Sequence, residues 1–275
     1  MAGILYIVPT PIGNLEDITL RALRVLREVS LIAAEDTRTT ARLLAHYGIQ
    51  TPQTSYHEHN KLTKLDLVLT ALETGDVALV SDAGTPGLSD PGYELIRAAI
   101  KAGVQIVPLP GASALLPALV ASGLPTDRFT YLGFLPRRPQ ARRAVLGEAK
   151  TLRDTLVIYE APHRLIETLT DIREVLGIRQ VVVARELTKL YEEIWRGPVD
   201  RAIVHFTDRP VRGEITLVVE GFEPEQAGRW DEADVRAALA RRLAQGEARS
   251  AAARAVADQS GWSRREVYDL DVDQS

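Results

Sequence analysis

The chain reads as an α/β protein, and three observations carry that reading. Short apolar runs of strand length (Ile4 to Val8, Leu31 to Ala34, Val77 to Val80, Val104 to Val107) alternate with stretches whose apolar residues recur at helical spacing. The run Val77 to Val80 breaks into Ser81-Asp-Ala-Gly-Thr-Pro-Gly-Leu-Ser-Asp-Pro-Gly92, where closely spaced Gly and Pro let neither helix nor strand continue. A helical pattern then resumes at once, with Leu95, Ile96, Ala99 and Ile100 spaced to face a core. Strand, stiff glycine–proline loop and helix in that order place a ligand beyond the carboxyl ends of the strands. A loop of this length is longer than an ordinary connection, and Ser81, Asp82, Thr85, Ser89 and Asp90 make it a candidate ligand loop.

Taken in order, Ile4 to Val8 predicts a first strand, ended by Pro9-Thr-Pro-Ile-Gly13. A helix through Leu20, Leu23, Leu26 and Val29 leads to a second strand, Leu31 to Ala34, whose tip carries Glu35-Asp-Thr-Arg38. A helix to His46, a short strand near Thr54 to Tyr56 and a helix through Leu62, Leu65, Val68 and Leu72 precede the central loop. Beyond it, Val104 to Val107 is a strand and Pro108-Leu-Pro-Gly-Ala-Ser113 opens an apolar helix. This alternation predicts a mostly parallel sheet covered on both faces over residues 1–122.

Gly123-Leu-Pro-Thr-Asp-Arg128 marks a boundary. Residues 123–222 form a second α/β segment with strands near Thr130–Phe134, Thr155–Tyr159, Gln180–Arg185 and Glu214–Glu220, and Pro162 in the first turn of the helix from Ala161 to Leu176. Gly221 to Arg229 reads as a linker, and residues 229–275 are helical. Asp231 starts one helix, which ends near Gly246; Ala248 to Asp258 forms a second, and after Ser260-Gly-Trp-Ser263 the pair Ser263 and Glu266 predicts a capping box for a third. Two short helices across a glycine turn fit a helix-turn-helix, with Arg264 and Arg265 opening the recognition helix, and fit a plain helical hairpin equally well.

Bulk properties narrow the function. The chain has no cysteine, which excludes thiolate metal sites and a cysteine nucleophile, and its five histidines lack metal-site spacing. It shows no leader and no membrane-length apolar window, so a cytoplasmic location is expected. A net charge of −4 does not announce a nucleic-acid binder; any such contact would use a local patch such as Arg137, Arg138, Arg142 and Arg143, with Lys150 and Arg153 beyond. There is no Walker loop and no G-x-G-x-x-G after a predicted strand.

Six motifs then come in order: Leu5-Tyr-Ile-Val-Pro-Thr-Pro-Ile-Gly-Asn-Leu-Glu-Asp-Ile-Thr19, Ala34-Glu-Asp-Thr-Arg38, Ser81-Asp-Ala-Gly-Thr-Pro86, Pro110-Gly-Ala-Ser113, Tyr159-Glu-Ala-Pro-His-Arg164 and Arg185-Glu-Leu-Thr-Lys189. Together they resemble the tetrapyrrole methylase superfamily, in its branch that methylates ribosomal RNA. The resemblance runs from Leu5 to Glu220, and the helical tail is similar to that branch's C-terminal segment. It implies two α/β domains of the tetrapyrrole methylase type with S-adenosylmethionine in the cleft between them, a homodimer, and methyl transfer to a ribose 2′-hydroxyl of a cytidine in 16S rRNA.

Carried over residue by residue, the resemblance puts the cofactor loop on Gly84, Thr85, Pro86 and Leu88. Relatives that methylate corrin rings carry Gly-Asp-Pro where this chain has Gly84-Thr-Pro86, so Thr85 or Asp82 stands in for that Asp. Ser113 and Ala114 follow from the Pro-Gly-x-Ser segment; Tyr159, Glu160 and Ala161 approach from the second domain; Glu214 to Thr216 closes the adenosine side; Pro11 and Ile12 line the pocket from the first loop. A sulfonium cation suits small residues and carbonyls with few side-chain cations, and Ala83, Gly84, Ala112 and Ala114 fit that chemistry. In-line methyl transfer needs no metal, but a ribose hydroxyl needs a base within hydrogen-bond reach. Glu35, Asp36, His57 and Glu160 are the candidates, and Asp36, Arg38 and Glu35 are the expected substrate-side residues, with Arg38 on a phosphate or a developing alkoxide.

Each has a plainer role. Asp36 also suits a helix cap, Glu160 a helix-start carboxylate, His57 a structural hydrogen bond, and Arg185 with Lys189 an ion pair between domains. Two other functions fit the same motifs: tetrapyrrole C-methylation at the same cofactor site, and a ligand-sensing helix-turn-helix regulator that turns nothing over.

Overall fold

The computed structural model describes residues 3–57, 61–223 and 230–270, the side chains of 61–63 aside. The first segment forms five strands, β1 (Ile4–Ile7), β2 (Leu31–Ala34), β3 (Gln53–Ser55), β4 (Val77–Val80) and β5 (Gln105–Pro108), with helices α1 (Leu20–Glu28), α2 (Thr37–His46), α3 (Lys61–Thr74) and α4 (Tyr93–Lys101) between them. The sheet order is β3-β2-β4-β1-β5, and every pairing is parallel. Successive residues of one strand serve two cores, as the period-2 pleat requires. Val77 and Leu79 pack with Val68, Leu72, Leu95 and Ala99 on one face; Ala78 and Val80 pack with Leu23, Leu26 and Leu44 on the other. Burial on both faces is why these strands read as unbroken apolar runs.

Local chemistry sets the helix ends. The Thr19 side chain accepts the Ala22 N–H at the start of α1, and Asp36 does the same for Arg38 at the start of α2. Helix α5 (Leu115–Ser122) ends on Gly123 in a left-handed conformation, φ 78°.

The second segment holds β6 (Phe129–Phe134), α6 (Pro139–Glu148), β7 (Thr155–Glu160), α7 (Leu165–Leu176), β8 (Gln180–Arg185), β9 (Glu193–Pro198), α8 (Val199–Thr207) and β10 (Ile215–Val219). Its order is β6-β7-β10-β8-β9, with β10 antiparallel to both neighbours and β6 parallel to β7. Strand β9 and helix α8 go beyond the sequence expectation. β9 is an edge strand, half-buried at most positions and ended by Gly197-Pro198, so it lacks the apolar run that marks its neighbours. The helix expected from Ala161 begins as a 3-10 turn, Pro162–Arg164, before α7.

One face of this sheet is covered by α6, α7 and α8 through Leu146, Leu165, Leu169, Val199 and Phe206. The other face receives α5: Leu115, Ala118 and Leu119 pack against Val157, Val182 and Val218, with Ile12, Ala83, Leu88 and Ala114 at the margin. The last helix of the first segment therefore belongs to the core of the second sheet, and the loops at the carboxyl ends of β1 and β4 are drawn against it.

The tail forms α9 (Glu232–Ala244), α10 (Arg249–Ser260) and α11 (Arg264–Asp269) around Val235, Leu239, Ala253, Val256 and Val267. The expected capping box is present: Ser263 accepts the Glu266 N–H, and the Glu266 carboxylate accepts the Ser263 N–H. Arg153 bridges the second segment to the tail through Asp258 at 3.2 Å. Most of the expected linker, residues 224–229, lies outside the described residues, as do residues 271–275.

Candidate active site

The central loop is stitched to the first loop. Thr10 and Gly84 exchange backbone hydrogen bonds of 2.9 Å each way, and the Thr10 hydroxyl donates to the Ser81 carbonyl at 2.9 Å. The Ser81 hydroxyl in turn donates to the Gly84 carbonyl at 3.2 Å. Gly84 has φ 81°, a conformation that side-chain-bearing residues rarely adopt. Thr85 anchors the loop to the next one by donating to the Ala112 carbonyl at 3.3 Å. A second stitch joins the tips of β2 and β4: the Asp82 N–H donates to Glu35 and the Asp36 N–H donates to Asp82, both at 3.1 Å.

These loops and the edge of the second sheet enclose a cleft of about 380 Å3, within the range of small-molecule sites. Of the expected cofactor residues, Ile12, Asp82, Gly84, Thr85, Leu88, Ser113, Ala114, Tyr159, Glu160, Ala161, Glu214 and Thr216 line it, as does Glu35 of the substrate-side set. Pro11 and Pro86 do not. Pro11 faces a separate hollow beside Leu15, Thr39 and Leu43, and Pro86 is buried beneath the loop. Prolines have no N–H to offer a ligand, and here they stiffen the turn instead.

Asp36 and Arg38 also lie off the cleft lining. Asp36 caps α2 and binds the Arg38 guanidinium at 2.6 Å, which holds its carboxyl well below the usual carboxylate range. A carboxylate so held is a poor proton acceptor at neutral pH, so Asp36 takes the capping role and Arg38, largely exposed, points a cation outward. Glu160 is spent as well: one oxygen accepts the Ala161 N–H at 2.8 Å and the other the Thr168 hydroxyl at 2.5 Å, with Arg164 alongside at 3.3 Å. It organises the turn after β7. His57 is not on the lining.

Two other sequence expectations change. Arg142 is no surface cation: it is 2 % exposed and bound to Asp171 at 2.6 Å, while Arg143 holds the other Asp171 oxygen at 2.6 Å. Of the expected patch, Arg137, Arg138 and Lys150 are exposed, whereas half-exposed Arg143 is tied to Asp171 and Glu174, and Arg153 to Asp258. Arg185 pairs with Glu193, and Lys189 with Glu186 and Glu214, all inside the second segment rather than between segments. The Lys189 stem does approach the first loop, for a Cβ on Gly13 would fall 2.3 Å from it.

Ser89, Asp90, Phe134, Pro162 and Gly213 line the cleft beyond the expected site residues, and two of them bear on its chemistry. Phe134, 55 % exposed, stands at the cleft edge with its ring 5.7 Å from that of Tyr159. A register shift in β6 between Tyr131 and Gly133 turns it there, as bulges beside functional sites do. Asp90 lines the cleft near Glu35, Asp82 and Glu214; burial first, then the charge of Glu35, pushes its carboxyl up to about 7. The sequence offered only its place in the ligand loop. Burial likewise raises Glu35 and Asp82 above their ordinary values.

The lining has one chemical sign. It carries five carboxylates (Glu35, Asp82, Asp90, Glu160 and Glu214) and no Lys or Arg. Such a cleft repels phosphates and suits a cationic ligand. Among the described residues no group of three or more His, Cys, Asp or Glu is placed to hold a metal ion, and no helix is long and apolar enough to cross a membrane.

Residues 4–203 match the family model of the tetrapyrrole (corrin/porphyrin) methylases. The chain is 48% identical to ribosomal RNA small subunit methyltransferase I of Synechocystis sp. over 98% of both chains. It is 44% identical to the protein of that name from Bacillus subtilis, covering 97% of this chain and 93% of that one. The same-named protein of Escherichia coli O157:H7 is 50% identical over 82% of this chain and 80% of its own. Among solved structures, the native uroporphyrin III C-methyl transferase of Thermus thermophilus superposes with a TM-score of 0.56 at 20% identity, covering 79% of this chain and 97% of that one, a likeness of fold.

Proposed function

The chain belongs to the tetrapyrrole (corrin/porphyrin) methylases, which use S-adenosylmethionine, and on that premise we propose that it methylates the ribose 2′-hydroxyl of a cytidine in 16S rRNA of the small ribosomal subunit. Relatives 44–50% identical over most of the chain are ribosomal RNA small subunit methyltransferases, whereas the uroporphyrin enzyme shares only the fold. That contrast favours the RNA reading over tetrapyrrole C-methylation and over a regulator without turnover.

The single observation that supports the cofactor reading is a cleft lining whose only charged side chains are carboxylates, which matches a sulfonium. The donor set fits the rest of the molecule: small walls at Ala83, Gly84 and Ala114, the Ser113 hydroxyl, and the strand ends at Tyr159 to Ala161 and Glu214 to Thr216. These residues would hold S-adenosylmethionine, with Thr85 and Leu88 fixing the loop against it. When bound, it supplies a methyl group on a positively charged sulfur, open to in-line displacement by oxygen. The protein's share is alignment and exclusion of water, the largest contributions a metal-free transfer can draw on.

The RNA side falls to cations outside the lining but next to it in sequence. Arg38 follows the Glu35 tip, Arg137 and Arg138 follow Phe134, and Arg212 precedes Gly213; all four are exposed. Asp36 orients Arg38, and Glu35 keeps the Asp82 loop in place from below. A substrate phosphate backbone would meet this basic rim while the ribose enters the acidic cleft. The dimer face is proposed on α5, where Leu116 and Val120 stand one turn apart at 54 % and 73 % exposure. An enzyme of ribosomal RNA works in the bacterial cytoplasm.

The test is labelled methyl transfer from S-adenosylmethionine to purified small subunits from an unmodified strain. Label on a single ribose is expected; no label on subunits or free RNA, despite measured cofactor binding, overturns the substrate. In the same assay Thr85→Arg, which drives a cation into the acidic cleft, is expected to lose cofactor binding by more than about 100-fold while the fold persists. Retained methylation by that variant would show that the loop does not carry the cofactor.

A further inference from the structure

Taking that reading as its basis, we propose that Asp90 is the general base of the transfer, the group that accepts the proton of the attacking ribose hydroxyl. The proposal rests first on what the other cleft carboxylates are doing. Both Glu160 oxygens are bonded within the second segment; Glu35 accepts the Asp82 N–H, Asp82 accepts the Asp36 N–H, and Glu214 receives the Lys189 ammonium at 3.1 Å. Each is held by an N–H, a hydroxyl with an N–H, or an ammonium. Asp90 lies beside Ser81, whose hydroxyl hydrogen goes to the Gly84 carbonyl, and no cation pairs with Asp90 among the described residues.

The backbone that presents Asp90 is strained and clamped. Ser89, immediately before it, has φ 63°, and Gly92, two residues after it, has φ 140°. A left-handed non-glycine residue costs about 1 kcal/mol or more and persists only where its surroundings enforce it. Here the Ser89 hydroxyl bonds the Tyr131 hydroxyl at 2.7 Å, tying the loop of the first segment to β6 of the second. The β6 bulge makes room for that clamp, since a Cβ on Gly133 would stand 3.2 Å from the Ser89 hydroxyl. Strain, clamp and bulge converge on fixing one carboxylate at the cleft wall. Pro91 and Gly92 lead into α4, and Asp90, just before them, lines the cleft.

The groups facing Asp90 are Glu35 from the β2 tip, Asp82 and Ser81 from its own loop, Glu214 ahead of β10, and the phenols of Tyr131 and Tyr159. Burial first, and then the charges of Glu35, Asp82 and Glu214, push the carboxyl up to about 7, the range in which a base exchanges protons readily. In the step itself the hydroxyl O–H bond breaks and its proton moves to an Asp90 oxygen. The freed oxygen pair forms the new C–O bond, the pair of the broken C–S bond returns to sulfur, and Asp90 later releases its proton to solvent.

The experiment uses the full chain and Asp90→Asn with Asp90→Glu. Carbon-13 carboxyl titration of the protein without ligand is expected to show a midpoint near 7 that vanishes in Asp90→Asn. Asp90 is one of five carboxylates facing the cofactor, so calorimetry at pH 8 should give an S-adenosylmethionine Kd weakened by less than about tenfold, and transfer is compared at saturating cofactor. Single-turnover transfer to unmodified small subunits should fall about 10²–10⁴-fold in Asp90→Asn and lose its rise with pH, with partial recovery in Asp90→Glu. A rate within tenfold of the parent and an unchanged pH profile would overturn the role. So would a Kd weakened 100-fold with an unchanged rate at saturation, which assigns Asp90 to holding the sulfonium. If the parent transfers nothing to subunits, the substrate reading fails, and the carboxyl titration still shows whether Asp90 is tuned as a base.

Discussion

The two faces that flank this molecule's centre treat charge in opposite ways. On the outer face of the second sheet, Arg142, Arg143, Asp171 and Glu174 are matched ion to ion, and the deepest pair is sealed from water. In the cleft, Glu35, Asp82, Asp90 and Glu214 stand together with a single ammonium, that of Lys189 on Glu214, among the described residues. The first arrangement neutralises charge to hold a helix pair in place; the second concentrates one sign where a ligand can neutralise it. Partnering, and not the number of charged residues, separates architecture from chemistry here.

The largest expected effect breaks the first side of the comparison. Removing Arg142 leaves Asp171, 3 % exposed, with only the Arg143 contact. Breaking a buried pair costs about 3–5 kcal/mol, and the surviving Arg143 bond puts Arg142→Ala near the lower end. Urea denaturation followed by circular dichroism should show that loss, with cofactor affinity unchanged. A loss below 1 kcal/mol would mean that this pair is no more structural than the cleft acids.

The second prediction works on the cleft, with opposite sign. Asp90 has a folded-state pKa raised from 3.8 to about 7, so the native chain keeps a proton that the unfolded chain has released between those values. Stability contributed by the protonated acid is therefore present below pH 4 and declines as pH rises toward 7. Asp90→Asn removes the decline and should be more stable than the parent at pH 8, by about 1–2 kcal/mol once solvent screening of a half-buried group is allowed for. Thermal melts from pH 4 to pH 8 measure it. Equal slopes in parent and variant would place Asp90 among the well-partnered acids of the other face.

The same contrast explains what the sequence could and could not disclose. Strands β1, β2 and β4 were legible because both their faces are buried, and the loop after β4 because glycine and proline announce a break. Most of the cleft followed from the resemblance, since five of the six ordered motifs contribute residues to its lining and only Arg185 to Lys189 does not. The role of Arg142 was hidden because its partner Asp171 lies 29 residues away on another helix, while its neighbours Arg137, Arg138 and Arg143 imitate a surface stripe. Asp36 and Glu160 looked reactive because acids at strand tips do; only the cap on α2 and the bonds to Ala161 and Thr168 reveal them as supports. Asp90 was visible as a letter in a polar loop, but its tuning depends on burial and then on the charge of Glu35, both of which the fold alone supplies. β9 was missed because an edge strand with charged and Gly-Pro positions has no apolar periodicity to read.

The smallest expected effect concerns a third kind of charge, exposed and unburdened by buried partners. Arg264 and Arg265 open α11 on the tail, and the only cross-link either makes among the described residues is a loose 3.8 Å approach of Arg265 to Asp269. Surface pairs of that sort contribute little to stability. The double variant Arg264→Glu, Arg265→Glu should therefore melt as the parent does and bind cofactor equally well, because the tail's own core and the Arg153–Asp258 bridge are untouched. If the tail meets RNA phosphates, affinity for small subunits should drop about three- to tenfold, and the dependence of binding on salt should flatten by about two counterions. The salt slope is the deciding measurement, since a hairpin that only buttresses the body would leave it unchanged, and the arginines would then be solvated surface with no part in either of the two arrangements above.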